Sequence, residues 1–108
     1  MTTDIRIPAH QPTNVGTMLK EEFLDPMTIS QGELAKAMGV SRKTVNELCG
    51  NKRGITAETA LLLSKVLGTT PEFWINLQIM NDLWTTSHSE RMKDKLDKAV
   101  RLVEPEAA

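Results

Sequence analysis

Ser30-Gln31-Gly32-Glu33-Leu34-Ala35-Lys36-Ala37-Met38-Gly39-Val40-Ser41-Arg42-Lys43-Thr44-Val45-Asn46-Glu47-Leu48-Cys49 carries two short helical patterns on either side of a glycine. Ser30 offers a side-chain oxygen to a first helical turn, and Glu33 stands three residues on, in the reciprocal position of a capping box. Leu34, Ala35 and Met38 lie on one helical face, so a short helix is expected from Gln31 to about Met38. Gly39 follows as a stop able to take a left-handed backbone. Only Val40 and Ser41 separate it from a second helix, Arg42 to about Cys49, capped by Ser41, with Val45 and Leu48 facing inward. Gly50-Asn51 ends that helix. Ala35 is small enough for the second helix to cross close over the first, while Val45 and Leu48 plug the angle between them.

The outward face of the second helix then carries Arg42, Lys43, Asn46 and Glu47, with Thr44 at its flank. A helix presented in this way enters the major groove of DNA with its N-terminal residues toward the bases. Arg and Lys suit guanine O6 and N7, and Asn suits adenine N6 and N7. A carboxylate at Glu47 repels phosphate, so it either accepts from cytosine N4 or pairs with a neighbouring cation.

On the N-terminal side, Val15, Met18, Leu19 and Phe23 form one helical face, with Asn14 as N-cap. Pro26 is expected to end this helix, because it lacks an amide donor and restricts Asp25 before it. Residues 1–13 contain Pro8 and Pro12 and no helical stripe, and read as an extended arm. On the C-terminal side, Thr56 caps a helix with Ala60, Leu63, Val66 and Leu67 inside, stopped at Gly68. Thr70-Pro71-Glu72 starts the next helix, expected to bury Phe73, Leu77, Met80 and Trp84. After a polar break from Thr85 to Ser89, Met92, Leu96, Ala99 and Val103 predict a stripe on a sixth helix. The expected architecture is all-α, with an arm (1–13), a core domain (14–84), and a C-terminal helix and tail (85–108).

Composition narrows the function. At 108 residues the chain suits one domain. Aromatics are only 4%, without Tyr, which argues against a stacking surface for single strands. One cysteine, Cys49, permits no internal disulfide and reads as a partly buried structural thiol. His10 and His88 stand apart, read as surface residues, and leave no ligand set for a structural metal. No cofactor is expected. No apolar run approaches the length of a membrane span, so a cytoplasmic protein with no membrane partner is expected. The net charge of −1 hides a polarity. Residues 30–56 carry Lys36, Arg42, Lys43, Lys52 and Arg53 against Glu33 and Glu47, net +3, while residues 1–29 and 57–88 are each net −2 and residues 89–108 balance. One cationic segment in a neutral chain fits a single face meeting phosphates. Lys36, on the far side of its helix, reads as solvated. Catalytic carboxylate pairs, a nucleophile elbow and a phosphate-binding glycine loop are all missing, which speaks against an enzyme.

Residues 31–41 resemble the helix-turn-helix of lambda-type phage repressors, the Xre family, and the resemblance extends over about residues 14–84. Within it the chain is similar to HigA/VapI-type antitoxins. The resemblance rests on His10-Gln11-Pro12, Leu19-Lys20-Glu21-Glu22-Phe23-Leu24, Asn51-Lys52-Arg53-Gly54-Ile55-Thr56 and Phe73-Trp74, although Gln11 separates a His-Pro pair that is commonly direct. It implies a lambda-repressor-like five-helix domain plus the sixth helix. Arg42, Lys43, Asn46 and Glu47 would read bases. Gln31, Ser41, Thr44, Asn51, Lys52 and Arg53 would meet phosphate and hold register. The implied function is a homodimeric, operator-binding antitoxin and autorepressor that silences a RelE/HigB-like messenger-RNA endonuclease. Glu21, Glu22 and Asp25 are the acidic groups expected to meet that basic toxin. A stand-alone regulator without a toxin is the alternative.

Overall fold

The computed structural model describes residues 7–105, and no strand occurs among them. The first helical segment comprises α1 (Val15–Thr17), a π-helical stretch (Met18–Leu24) and α2 (Asp25–Met27), which follow one another without a break. Then come α3 (Gln31–Met38), α4 (Arg42–Cys49), α5 (Ala57–Leu67), α6 (Pro71–Ser87) and α7 (Glu90–Lys98). The core gathers Val15, Leu19, Leu24, Leu34, Ala35, Met38, Val45, Leu48, Ala60, Leu63, Trp74 and Leu77 into one cluster. These come from every helix except α2 and α7, so α4 is seated on a single shared core.

The motif at the centre forms as its residues dictate. Ser30 Oγ accepts the Glu33 N–H at 3.0 Å while Glu33 Oε1 accepts the Ser30 N–H at 3.3 Å, which closes the capping box. Gly39 adopts φ 72°, a left-handed conformation that a Cβ would strain. Ser41 then caps α4 by accepting the Thr44 N–H at 3.1 Å. Leu34, Val45 and Leu48 are wholly buried where α3 and α4 cross.

Five expectations need correction. Pro26 does not end the first helical segment. The proline ring would clash with the carbonyl four residues back in an α-helix. The π-helical stretch ahead of it hydrogen-bonds five residues back instead, with the Asp25 N–H on Lys20 O, and the segment continues to Met27. It stops at Thr28, left-handed at φ 55°, where the Ile29 N–H bonds Leu24 O at 2.9 Å. Asn14 occupies the N-cap position without a side-chain cap bond; Asn51 Oδ1, from beyond α4, accepts the Gly16 N–H at 2.8 Å.

In α6 the inward aromatic is Trp74, which is fully buried, whereas Phe73 is 37% exposed. Trp74 Nε1 donates to Thr69 Oγ1 at 2.7 Å, so its one polar atom is satisfied inside. Phe73 lies edge-on to Trp74 and to Phe23, with ring centroids 4.9 and 6.2 Å away. The helix continues through Thr85 and Thr86, and the break comes at His88, whose ring stacks on Trp84 with centroids 4.1 Å apart. Finally, the α7 stripe is cut short. Ala99 is already extended, Val103 lies outside the helix, and no residue of α7 is buried.

Candidate nucleic-acid interface

Ser41 turns the chain so that α4 begins with its first two side chains, Arg42 and Lys43, in solvent. The uncompensated amides at a helix start carry partial positive charge, which adds to these two cations. Thr44 is half-buried and its hydroxyl is tied to Ser41 Oγ at 2.9 Å. One turn on, Asn46 is exposed and donates Nδ2 to Gln31 Oε1 at 3.2 Å. That bond links the first residue of α3 to the outward face of α4, so the two helices present their polar groups as one unit. Gln31, Asn46, Lys20 and Lys52 line an open groove of about 250 Å³ beside α4.

Glu47 is paired with a neighbouring cation. Its carboxylate accepts from Arg53 Nη2 at 2.9 Å. The Arg53 hydrogen bond, with the positive field of Arg53, Lys43 and Lys52, holds the Glu47 carboxyl below the usual carboxylate range. Lys52 is exposed, and its backbone N–H bonds Glu47 O at 2.9 Å, which folds the loop back against the helix end.

Asn51, with φ 57°, ends that helix and serves the fold through its bond to Gly16. Gly16 itself was not singled out by the sequence. A Cβ there would meet the carbonyl oxygens of Leu48 and Cys49 at 2.5 Å, so the first helical segment abuts the end of α4 with no room for a side chain. Its two-letter context, Val-Gly, has nothing to distinguish it from a helix-weakening glycine. Gln78 was missed likewise. Its Oε1 accepts the Ile55 N–H at 2.9 Å and its Nε2 donates to Asp82, pinning the loop that carries Lys52 and Arg53 onto α6.

The structure therefore brings Gln31, Ser41, Arg42, Lys43, Thr44, Asn46, Glu47, Asn51, Lys52 and Arg53 to α4 and its flanks. Glu21, Glu22 and Asp25 lie elsewhere, exposed on the first helical segment, with Asp25 3.6 Å from Lys20. Cys49 is half-buried beside the groove, and burial pushes its thiol up. No group of His, Cys, Asp and Glu able to hold a metal occurs among the described residues. No described helix is long and apolar enough to cross a membrane.

Comparison with known proteins agrees with this geometry. A helix-turn-helix family profile matches residues 19–74. Antitoxin HigA-1 of Vibrio cholerae is 48% identical over 88 residues, covering 82% of this chain and 83% of the relative. A solved structure of antitoxin GraA in complex with its operator superposes with a TM-score of 0.80 at 39% identity, over 90% of this chain and 97% of that one. Pseudomonas aeruginosa antitoxin HigA, solved with the higBA promoter, gives 0.76 at 32% identity over 86% and 99%. These relatives are antitoxins, not enzymes. The chain belongs to the HigA-type branch of the Xre, or lambda-repressor-like, family of helix-turn-helix DNA-binding regulators.

Proposed function

We propose that this protein is an operator-binding antitoxin and autorepressor that docks α4 in the major groove as one half of a two-fold pair. The observation that carries this reading is the solvent-facing cationic start of α4, Arg42 and Lys43, next to the outward amide of Asn46. Arg42 and Lys43 approach guanine edges, and Asn46, oriented by Gln31, reads a base deeper in the groove. Lys52 and the helix-start groups of Gln31, Ser41 and Thr44 meet phosphate, with Arg53 and the free amide of Asn51 beside them. One eight-residue helix spans only a few base pairs, so a pair of protomers reading inverted half-sites supplies the specificity.

The partner proposed for the exposed carboxylates Glu21, Glu22 and Asp25 is a basic HigB/RelE-like messenger-RNA endonuclease. Support comes from the relatives named as antitoxins and from the exposure of these acids on the first helical segment, outside α4.

The test is co-expression with the product of the neighbouring reading frame, followed by a gel shift on their shared promoter. Joint purification of the two chains, arrest of toxin activity and a shifted promoter band are the expected results. A shift without any bound neighbour leaves a stand-alone regulator. No shift on any duplex overturns the reading.

A further inference from the structure

Residues Arg42 to Cys49 contain one acidic side chain, and it stands on the face that meets DNA. Glu47 ties the following loop twice. Its backbone oxygen takes the Lys52 N–H, and its carboxylate takes Arg53 at 2.9 Å. The two side chains are 27% and 47% exposed, and an ion pair this open adds little to folding stability. A carboxylate facing phosphates also weakens attraction to every duplex. Neither stability nor bulk affinity accounts for a carboxylate here.

We propose that Glu47 is a positioning residue that sets DNA specificity through Arg53, holding the guanidinium at one place beside the recognition helix and withholding its charge from phosphates that are out of register. This inference rests on the DNA-binding reading above. On a random duplex the protein is held almost entirely by phosphate attraction. There a tethered, half-neutralised Arg53 contributes little. On the operator, base contacts fix the register, and a guanidinium already held in place loses less freedom on reaching its phosphate. Removing the carboxylate adds net positive charge in both cases, but on the operator the lost tether offsets the gain.

The experiment compares the full chain with E47Q, R53Q and the double variant on its own promoter duplex and on a random duplex of equal length, across a salt series. E47Q is expected to tighten random-duplex binding about three- to tenfold and to steepen its salt slope by roughly 1. Promoter binding should change by less than about twofold, so the specificity ratio falls. In the R53Q background, where no tether exists, E47Q should move both duplexes alike. Equal movement of both duplexes in the wild-type background overturns the inference. So does a loss confined to one base pair of the promoter, which would make Glu47 a base reader. Wild-type protein that shifts no duplex overturns the DNA-binding reading itself. Unchanged circular-dichroism melting of these exposed variants keeps folding out of the comparison.

Discussion

At Gly16 one hydrogen atom in place of a methyl lets the first helical segment meet the end of α4. The methyl of Gly16→Ala would press on two backbone carbonyls that cannot swing aside. It should destabilise the protein by about 1–3 kcal/mol or more, read as a lower urea midpoint. Residues on the exposed face behave differently, since they touch nothing in the core. Arg42→Ala should leave that midpoint in place and cost about 1–3 kcal/mol on the operator, with specificity relaxed at one position. Equal weakening on every sequence would remove it from base reading. Lys52→Ala should weaken all duplexes similarly and lower the salt slope by roughly 1. That Arg42, Lys43 and Lys52 are candidate site residues was legible because cations cluster in one segment of a neutral chain, and all three lie exposed. Gly16 and Gln78 were not, because their importance lies in what approaches them from 35 and 23 residues away.

Among the elements, α3 and α4 were the most legible. Their caps, stops and inward faces are encoded within the eight residues of each helix and the residue on either side. Ser41→Ala removes the acceptor for the Thr44 N–H and should cost about 1 kcal/mol, visible as faster amide exchange in the first turn of α4. Operator affinity should fall with it, because that turn carries Arg42 and Lys43. The first helical segment was less legible. Whether a chain passes a proline or stops at it depends on the winding ahead of it, and the π-helical turn that carries this one past Pro26 has no signature in residue type. In α6 the choice between Phe73 and Trp74 as the inward ring was likewise open locally. Only Trp74 reaches a polar partner, Thr69, from within the core.

Over the whole molecule, α7 stands apart. It buries no residue, Leu96 is 52% exposed, and Val100, Leu102 and Val103 beyond it are more exposed still. A chain ending after His88 should therefore melt within a few degrees of the full-length protein, since an exposed surface element supplies little of the apolar burial that sets stability. A large drop in melting temperature at low concentration would show that α7 supports the core after all. If this segment also holds two protomers together, the same truncation should lower the mass measured by sedimentation while each protomer stays folded.

Local chemistry in the sequence determined the helical class, the turn at Gly39, the caps at Ser30, Ser41, Thr56 and Thr70, and the cationic character of the segment that starts α4. All of these depend on groups a few residues apart, which lie near one another in any helical chain. The cap on Gly16 by Asn51, the winding past Pro26, the inward ring of α6, the loop pinned by Gln78 and the grip of Glu47 on Arg53 were decided by the tertiary structure. Each requires side chains or backbones whose separation is set only once the helices have packed, because burial selects among conformations that local preference leaves nearly equal in energy.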